Sequence, residues 1–225
     1  SAAEDNADFT EYVNNLFADL LSADMVSLHA YVEHPKDFGI NDYEITLGRY
    51  DLDNPDDSSD YTDIISTLKS FDRNSLSAKQ QITLDELLMY MKNELEYSDL
   101  YMFNTQLQTT TGIHVQLPLL FAEYTFEEKK DIDEYIELLC DVDGYFENMA
   151  AFEKLRADNG YFMEDTLADE VIESCNSFLE TAGSEDGAMI STFNEKIASV
   201  DGLSDQDIAD YKTKNVSAVN EHVIP

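Results

Sequence analysis

Apolar residues recur at three- and four-residue spacing along most of this chain, and that period is the constraint its fold must satisfy. Strict alternation, the mark of a half-buried strand, is scarce. Helix punctuation accompanies the period. Ser77-Ala-Lys-Gln80 reads S-x-x-Q, a capping box in which the serine hydroxyl and the glutamine side chain satisfy orphan amides at a helix start. Ile82, Leu84, Leu87, Leu88, Met91, Leu95 and Tyr97 follow as an expected inner face. The spacing therefore predicts a helix from Ser77 to about Asn104, the longest in the chain. Thr125 to Glu128 reads T-x-x-E and predicts a second box, opening a helix through Ile132, Tyr135, Leu139 and Cys140. Asp143 is the expected cap of the next, which carries Phe146, Met149, Phe152 and Leu155 and stops at Asn159-Gly160.

The remaining segments follow the same rule. Phe9, Val13, Leu16, Phe17, Leu20 and Leu21 form one stripe, and a short helix from Asp24 to Glu33 stops before Pro35. Residues 35 to 60 read as an extended, turn-rich connection. Helices are expected around Ile64 to Phe71, Asp165 to Glu180, Ala188 to Ser199, and Ile208 to Val223, the last capped by Ser204 or Asp205. The Asp165 helix should pack Leu167, Val171, Ile172, Cys175 and Leu179. Eight or nine helices joined mostly by short loops give an all-α fold, a multi-helix bundle of antiparallel amphipathic helices. We expect one helical domain over residues 1–225, with a flexible start over residues 1–8. The final helix is still amphipathic at His222-Val-Ile-Pro225, so the chain reads as the N-terminal portion of a longer protein.

Charge removes whole classes of function. Thirteen basic residues stand against 48 acidic ones, a net charge of −35. Nucleic acid is excluded as a partner, since binding it needs Lys and Arg to replace phosphate counterions. Anionic membrane surfaces are disfavoured by the same sign. The acidity forms a solvated surface, or it attracts cationic peptides or metal ions; adaptation to high salt is a third reading. No apolar run reaches the length of a transmembrane helix. The chain starts Ser-Ala-Ala, as an exported protein with its leader removed would, and so would a trimmed chain. Cys140 and Cys175 each fall on the apolar side of a helical pattern and are expected as free buried thiols. Spacing leaves open whether they pair, because a disulfide needs Cα atoms within about 7 Å.

Motifs for chemistry are thin. His29-Ala-Tyr-Val-Glu33-His34 spaces its groups H-x-x-x-E-H, which leaves His29 and Glu33 on one face but turns His34 about 100° away from Glu33 on a helix, and so fails as a zinc motif. Asp51, Asp53, Asp56, Asp57 and Asp60 crowd one loop, but the EF-hand glycine and bidentate glutamate are missing, so turn formation is the better reading. Glycine-rich phosphate loops and a nucleophile elbow are absent, and His114 and His222 are isolated. No metal ligand, cofactor or catalytic residue is expected in this chain.

One stretch stands apart. From Leu100 to Ala122 there is no Asp, Glu, Lys or Arg, although charged residues are 27% of the whole. Gly112 and Pro118 should prevent one continuous helix through it. Leu117, Leu119, Leu120 and Phe121 are expected in core, while Thr110, Thr111, His114 and Gln116 edge a groove whose hydroxyls and amides could bond an extended peptide. The plainer alternative is a buried connection between two helices.

The order "SLHAYVEHPKDFGI", "YEITLG", "TTTGIHVQLPLLFAEYTF", "YIELLCDVDGYF" and "FMEDTLADEVIESC" resembles the N-terminal half of the bacterial domain-of-unknown-function 885 proteins, from about Phe17 to Pro225. Gly112, Ile113, Gln116, Leu117 and Pro118 carry its most specific piece, G-I-x-x-Q-L-P. The resemblance implies an exported cell-surface lipoprotein of a Gram-positive bacterium. It implies a longer parent whose C-terminal half holds an H-E-x-x-H helix and zinc, as in zinc metallopeptidases. This chain has no H-E-x-x-H, so it should not be an enzyme by itself. The expected role is a non-catalytic N-terminal helical region that shapes the substrate cleft and supports the absent catalytic half, its partner, with peptides as candidate ligands. The alternative is a free-standing acidic helical module that binds cationic peptides or a cell-surface partner.

Overall fold

The computed structural model describes residues 4–23, 25–32, 34–54 and 57–225. Among these residues it contains ten α-helices and no strand: α1 Ala7–Leu21, α2 Met25–Tyr31, α3 Ser59–Ser70, α4 Ala78–Tyr97, α5 Ile113–Glu123, α6 Lys129–Cys140, α7 Val142–Asp158, α8 Asp165–Ala182, α9 Ala188–Ile197 and α10 Asp205–Ala218. Short 3-10 helices begin at Pro35, Arg73 and Ser98, and a π-helical turn, Val219–Val223, closes α10. The all-α expectation holds, and α4, with 20 residues, is the longest described helix. No described helix is long and apolar enough to cross a membrane. Asp24 and Glu33, the expected bounds of the second helix, lie outside the described residues, as do residues 1–3 of the expected flexible start; Ala7 and Asp8 already belong to α1.

The chain divides into two compact units. The described parts of Ser1–Leu21, His34–Asn41 and Asp51–Asn104 form the first. Its core is Phe9 and Leu16 of α1, Ile65 and Leu68 of α3, Leu76, and Leu84 and Met91 of α4. Phe71 sets its ring edge to Phe9 at 5.2 Å. The predicted capping box is present: Gln80 N–H donates to Ser77 Oγ, and Ser77 N–H to Gln80 Oε1. Ile82 and Tyr97 were expected inside and are exposed. They lie on the arc of α4 opposite Leu84 and Met91, and a helix buried on one side cannot hide both arcs.

The described parts of Ser22–Glu33, Asp42–Tyr50 and Thr105–Pro225 form the second unit. Tyr135 of α6 is its hub, with Phe121, Tyr124, Phe126 and Phe193 packed around it at centroid distances of 5.2 to 5.5 Å. α5 lies against α9, and α10 against α6 and α9. Glu153 and Arg156 of α7 are a buried pair, Nη1 to Oε2 at 2.5 Å, and Glu153 also accepts the Thr105 hydroxyl.

Several local expectations are corrected. α5 is the helix that the periodicity did not reveal: Gly112 does stop a continuous helix, but Pro118 sits inside α5. An interior proline costs about 3 kcal/mol, while burying Leu117 and Phe121 returns about 1.5–3 kcal/mol each. Leu117 and Phe121 are core as expected, Leu120 is half-buried, and Leu119 is exposed. Thr125 does not cap α6. The helix starts at Lys129, and Asp131 accepts the N–H groups of Glu127 and Glu128. Asp143 does not cap α7, whose N-cap is Asp141. On α8 only Val171 and Ala182 are buried, so Leu167, Ile172 and Leu179 are solvent-facing instead of packed.

The Asp141 carboxylate has a different task. It accepts hydrogen bonds from Thr46 Oγ1 at 3.0 Å, Leu47 N–H at 2.8 Å and both terminal nitrogens of Arg49. The turn between them needs Gly48, whose φ of 83° lies in the left-handed region. Asn148 then exchanges two hydrogen bonds with the backbone of Tyr50. An extended segment without its own ladder is thus satisfied by the side chains of Asp141, at the junction of α6 and α7, and Asn148 of α7.

Candidate functional site

Gly112 is the N-cap of α5, and a Cβ there would fall 2.6 Å from both Gln108 O and His114 Cε1. Only glycine admits this approach. It lets His114, the second residue of the helix, fold its ring against the backbone. The residue is 9% exposed, and neither ring nitrogen has a protein hydrogen-bond partner. Burial holds the imidazole below its usual pKa, and so neutral.

His114 and Leu117 form one wall of a pocket of about 490 Å³ in the second unit. Phe146, Glu147 and Ala150 of α7, Cys175, Phe178 and Leu179 of α8, and Met189 of α9 form the others. The π turn at the end of α10 supplies His222, whose Nδ1 lies 2.8 Å from Asp143 Oδ2 at the same pocket. That hydrogen bond, with one from the Gly144 N–H, holds the Asp143 carboxyl below its usual range. Cys175 is half-buried and free, and desolvation raises its thiol pKa, so it is a wall thiol that is mostly protonated near neutral pH and reacts slowly. Cys140, expected in core, is exposed on the last turn of α6, and the two cysteines are not bridged.

Of the four groove candidates, only His114 reaches this pocket, and it does so as buried wall. Thr110 and Thr111 are exposed in the turn before α5, where Thr111 Oγ1 donates to Gln108 Oε1. Gln116 is half-buried and not part of the wall. No sequence pattern marks Asp143, His222, Cys175 and Phe178 as members of one site. The Asp143–His222 contact spans 79 residues of sequence, and no local pattern announces it.

A second, smaller pocket of about 400 Å³ lies beside α2 and the end of α5. His29 stacks on Tyr124 at 3.6 Å, and the Thr125 N–H donates to His29 Nε2. Nε2 is therefore an acceptor, which places the ring proton of the neutral form on Nδ1. Burial lowers the His29 pKa; Asp131 and Glu134 oppose that, and Lys196 adds to it. Lys196 Nζ caps α5 through the carbonyls of Ala122 and Tyr124. Glu33 and Asp56 lie outside the described residues. Asp51 and Asp57 spend Oδ1 on the backbone of Asp53, Asn54 and Ser59, which is turn chemistry. Among the described residues no group of three or more His, Cys, Asp or Glu is placed to hold a metal ion.

Comparison with known proteins places this geometry in a family. The family described as bacterial protein of unknown function, DUF885, matches over residues 39–225. A crystal structure described as "the putative lipoprotein from Colwellia psychrerythraea" has the same fold, with a TM-score of 0.78 at 15% identity. The likeness covers 96% of this chain and 39% of that one, so the chain spans about two-fifths of that protein's length. No curated protein matches the sequence.

Proposed function

Since this chain belongs to the DUF885 family of bacterial proteins, we propose that it is the non-catalytic N-terminal helical region of a longer, zinc-metallopeptidase-like protein. In that parent it shapes the substrate cleft and supports a catalytic half that carries the zinc. The observation behind this reading is the unequal coverage: nearly all of this fold recurs within 39% of a longer chain. Thr110, Thr111, His114 and Gln116 would line the side of the cleft that faces the catalytic half. Export as a cell-surface lipoprotein of a Gram-positive bacterium belongs to the same proposal, supported in its lipoprotein part by the description of the Colwellia protein.

The test compares this chain with its full-length parent. Zinc is measured by plasma mass spectrometry after purification without chelators, and hydrolysis is followed on a mixed peptide library. The parent should hold zinc and cleave peptides, and this chain alone should do neither. Stoichiometric zinc held by residues 1–225, or a parent without H-E-x-x-H and without hydrolysis, overturns the reading. A net charge of −35 favours a second reading, a free-standing module for cationic peptides; a parent that ends near Pro225 would select it.

A further inference from the structure

We infer that the pocket walled by α5, α7, α8 and the π turn binds an amphipathic amine: an apolar body, an amide or hydroxyl that both donates and accepts, and a cationic head. Its volume of about 490 Å³ falls within the range of small-ligand sites. Leu117, Phe146, Phe178 and Leu179 give it walls suited to a hydrocarbon body and unsuited to a bare ion. Leu179 is 37% exposed, so the apolar surface is still open to a guest.

The polar groups select the rest of the ligand. His114 is more than nine-tenths buried, and its two nitrogens have no protein partner. A neutral imidazole presents one donor and one acceptor. A guest amide or hydroxyl can donate or accept, so it complements whichever ring nitrogen turns toward it; a carboxylate offers only acceptors and an ammonium only donors. At the rim, Asp143 and Glu147 stand one helical turn apart on the same face of α7. Asp143 is engaged by His222, whereas Glu147 has no ion-pair partner among the described residues. An ammonium group finds its counter-charge there. An anionic head meets the rim carboxylate and the field of an acidic chain. This inference concerns residues of this chain alone and stands whether or not the parent is a peptidase.

Phenylalanine amide is the probe, with N-acetylphenylalanine amide, which lacks the cation, as its comparison. Binding is measured by calorimetry and by the rate at which a methanethiosulfonate reagent modifies Cys175 in a Cys140→Ser background. We expect phenylalanine amide to bind with a Kd of about a millimolar, the range for so small a ligand, and to slow modification of Cys175. The acetylated probe should bind about tenfold more weakly, the scale of one charge-assisted contact, and Glu147→Gln should close that gap. Ala150→Phe places a ring at the wall from an exposed position on α7 and should abolish protection with an unchanged melting temperature. His114→Leu should weaken both probes alike. Failure of phenylalanine amide to protect Cys175, equal binding of the two probes to the unmodified rim, or protection that survives Ala150→Phe overturns the inference.

Discussion

Gln80 and Asn6 hold one another in both directions: Gln80 Oε1 accepts the Asn6 N–H at 2.9 Å, and Gln80 Nε2 donates to the Asn6 carbonyl at 2.8 Å. The same Oε1 serves the Ser77 N–H, and the same Nε2 donates to Thr10 Oγ1. The capping glutamine of α4 therefore also fixes the start of α1. Its side chain is buried, so Gln80→Leu strands several backbone groups at once. We expect a loss of about 1–3 kcal/mol, against about 1 kcal/mol for Ser77→Ala, which removes only the cap. Urea titration with an unchanged m-value would show the difference as a larger fall in midpoint for Gln80→Leu.

Asp141→Ala should release residues 42–50, because one carboxylate holds Thr46, Leu47 and Arg49. The pair with Arg49 is partly exposed, so the cost should be about 1–3 kcal/mol. Arg49→Gln should cost less, since the bonds to Thr46 and Leu47 survive it. Limited proteolysis should cut within 42–50 faster in Asp141→Ala than in Arg49→Gln.

Glu153 and Arg156 are 7% and 8% exposed at the side chain. Removing one partner of a buried pair leaves the other charge uncompensated, so Glu153→Ala should cost about 3–5 kcal/mol. The double variant Glu153→Leu, Arg156→Met should recover much of that. Thermal melts of the wild type, Glu153→Leu, Arg156→Met and the double variant give the coupling directly.

Stability should fall on mild acidification through His29. Its folded pKa is lowered, so the unfolded chain takes up the proton first as pH drops. The contribution is fully present above the unfolded value of about 6.5 and is lost as pH falls through the folded one. Protonation also ends the acceptance of the Thr125 N–H. His29→Gln keeps an acceptor that does not titrate. Its melting temperature should therefore change less between pH 7.5 and 5.5, taken as about one unit either side of that value. An equal drop in both proteins would assign the effect elsewhere.

Phe121→Ala should cost about 3–5 kcal/mol, because the ring is buried edge-on to Tyr135. Thr110→Ala with Gln116→Ala should change stability by no more than about 0.5 kcal/mol. In the full-length parent that double variant should slow peptide turnover if these residues face the cleft. Unchanged turnover would restrict the stretch to a packing role.

The helices with strong caps and one-sided patterns were readable in the sequence, and Ser77, Gln80 and Ser204 sit where their residue types demand. α5 was not, because Gly112 and Pro118 carry the signals of a break while the burial that overrides them is tertiary. Thr125 and Asp143 looked like caps, but each is engaged by a histidine far along the chain. The pocket was less legible still. Its walls come from five separate elements, and of the four groove candidates only His114 belongs to it. α8 shows the limit of periodicity: it predicts that a face is apolar and not that the face is covered.

The bond between Arg49 and Asp141 spans 92 residues, and most of that span belongs to the first unit. On a ribosome adding about 5–20 residues per second, residues 42–50 emerge several seconds before the carboxylate that fixes them. During that interval α1, α3 and α4 can assemble from chain already made, whereas the second unit must wait for its own later half. A stall between residues 104 and 141 would then leave the first unit formed and residues 42–50 of the second as bare, protease-accessible backbone.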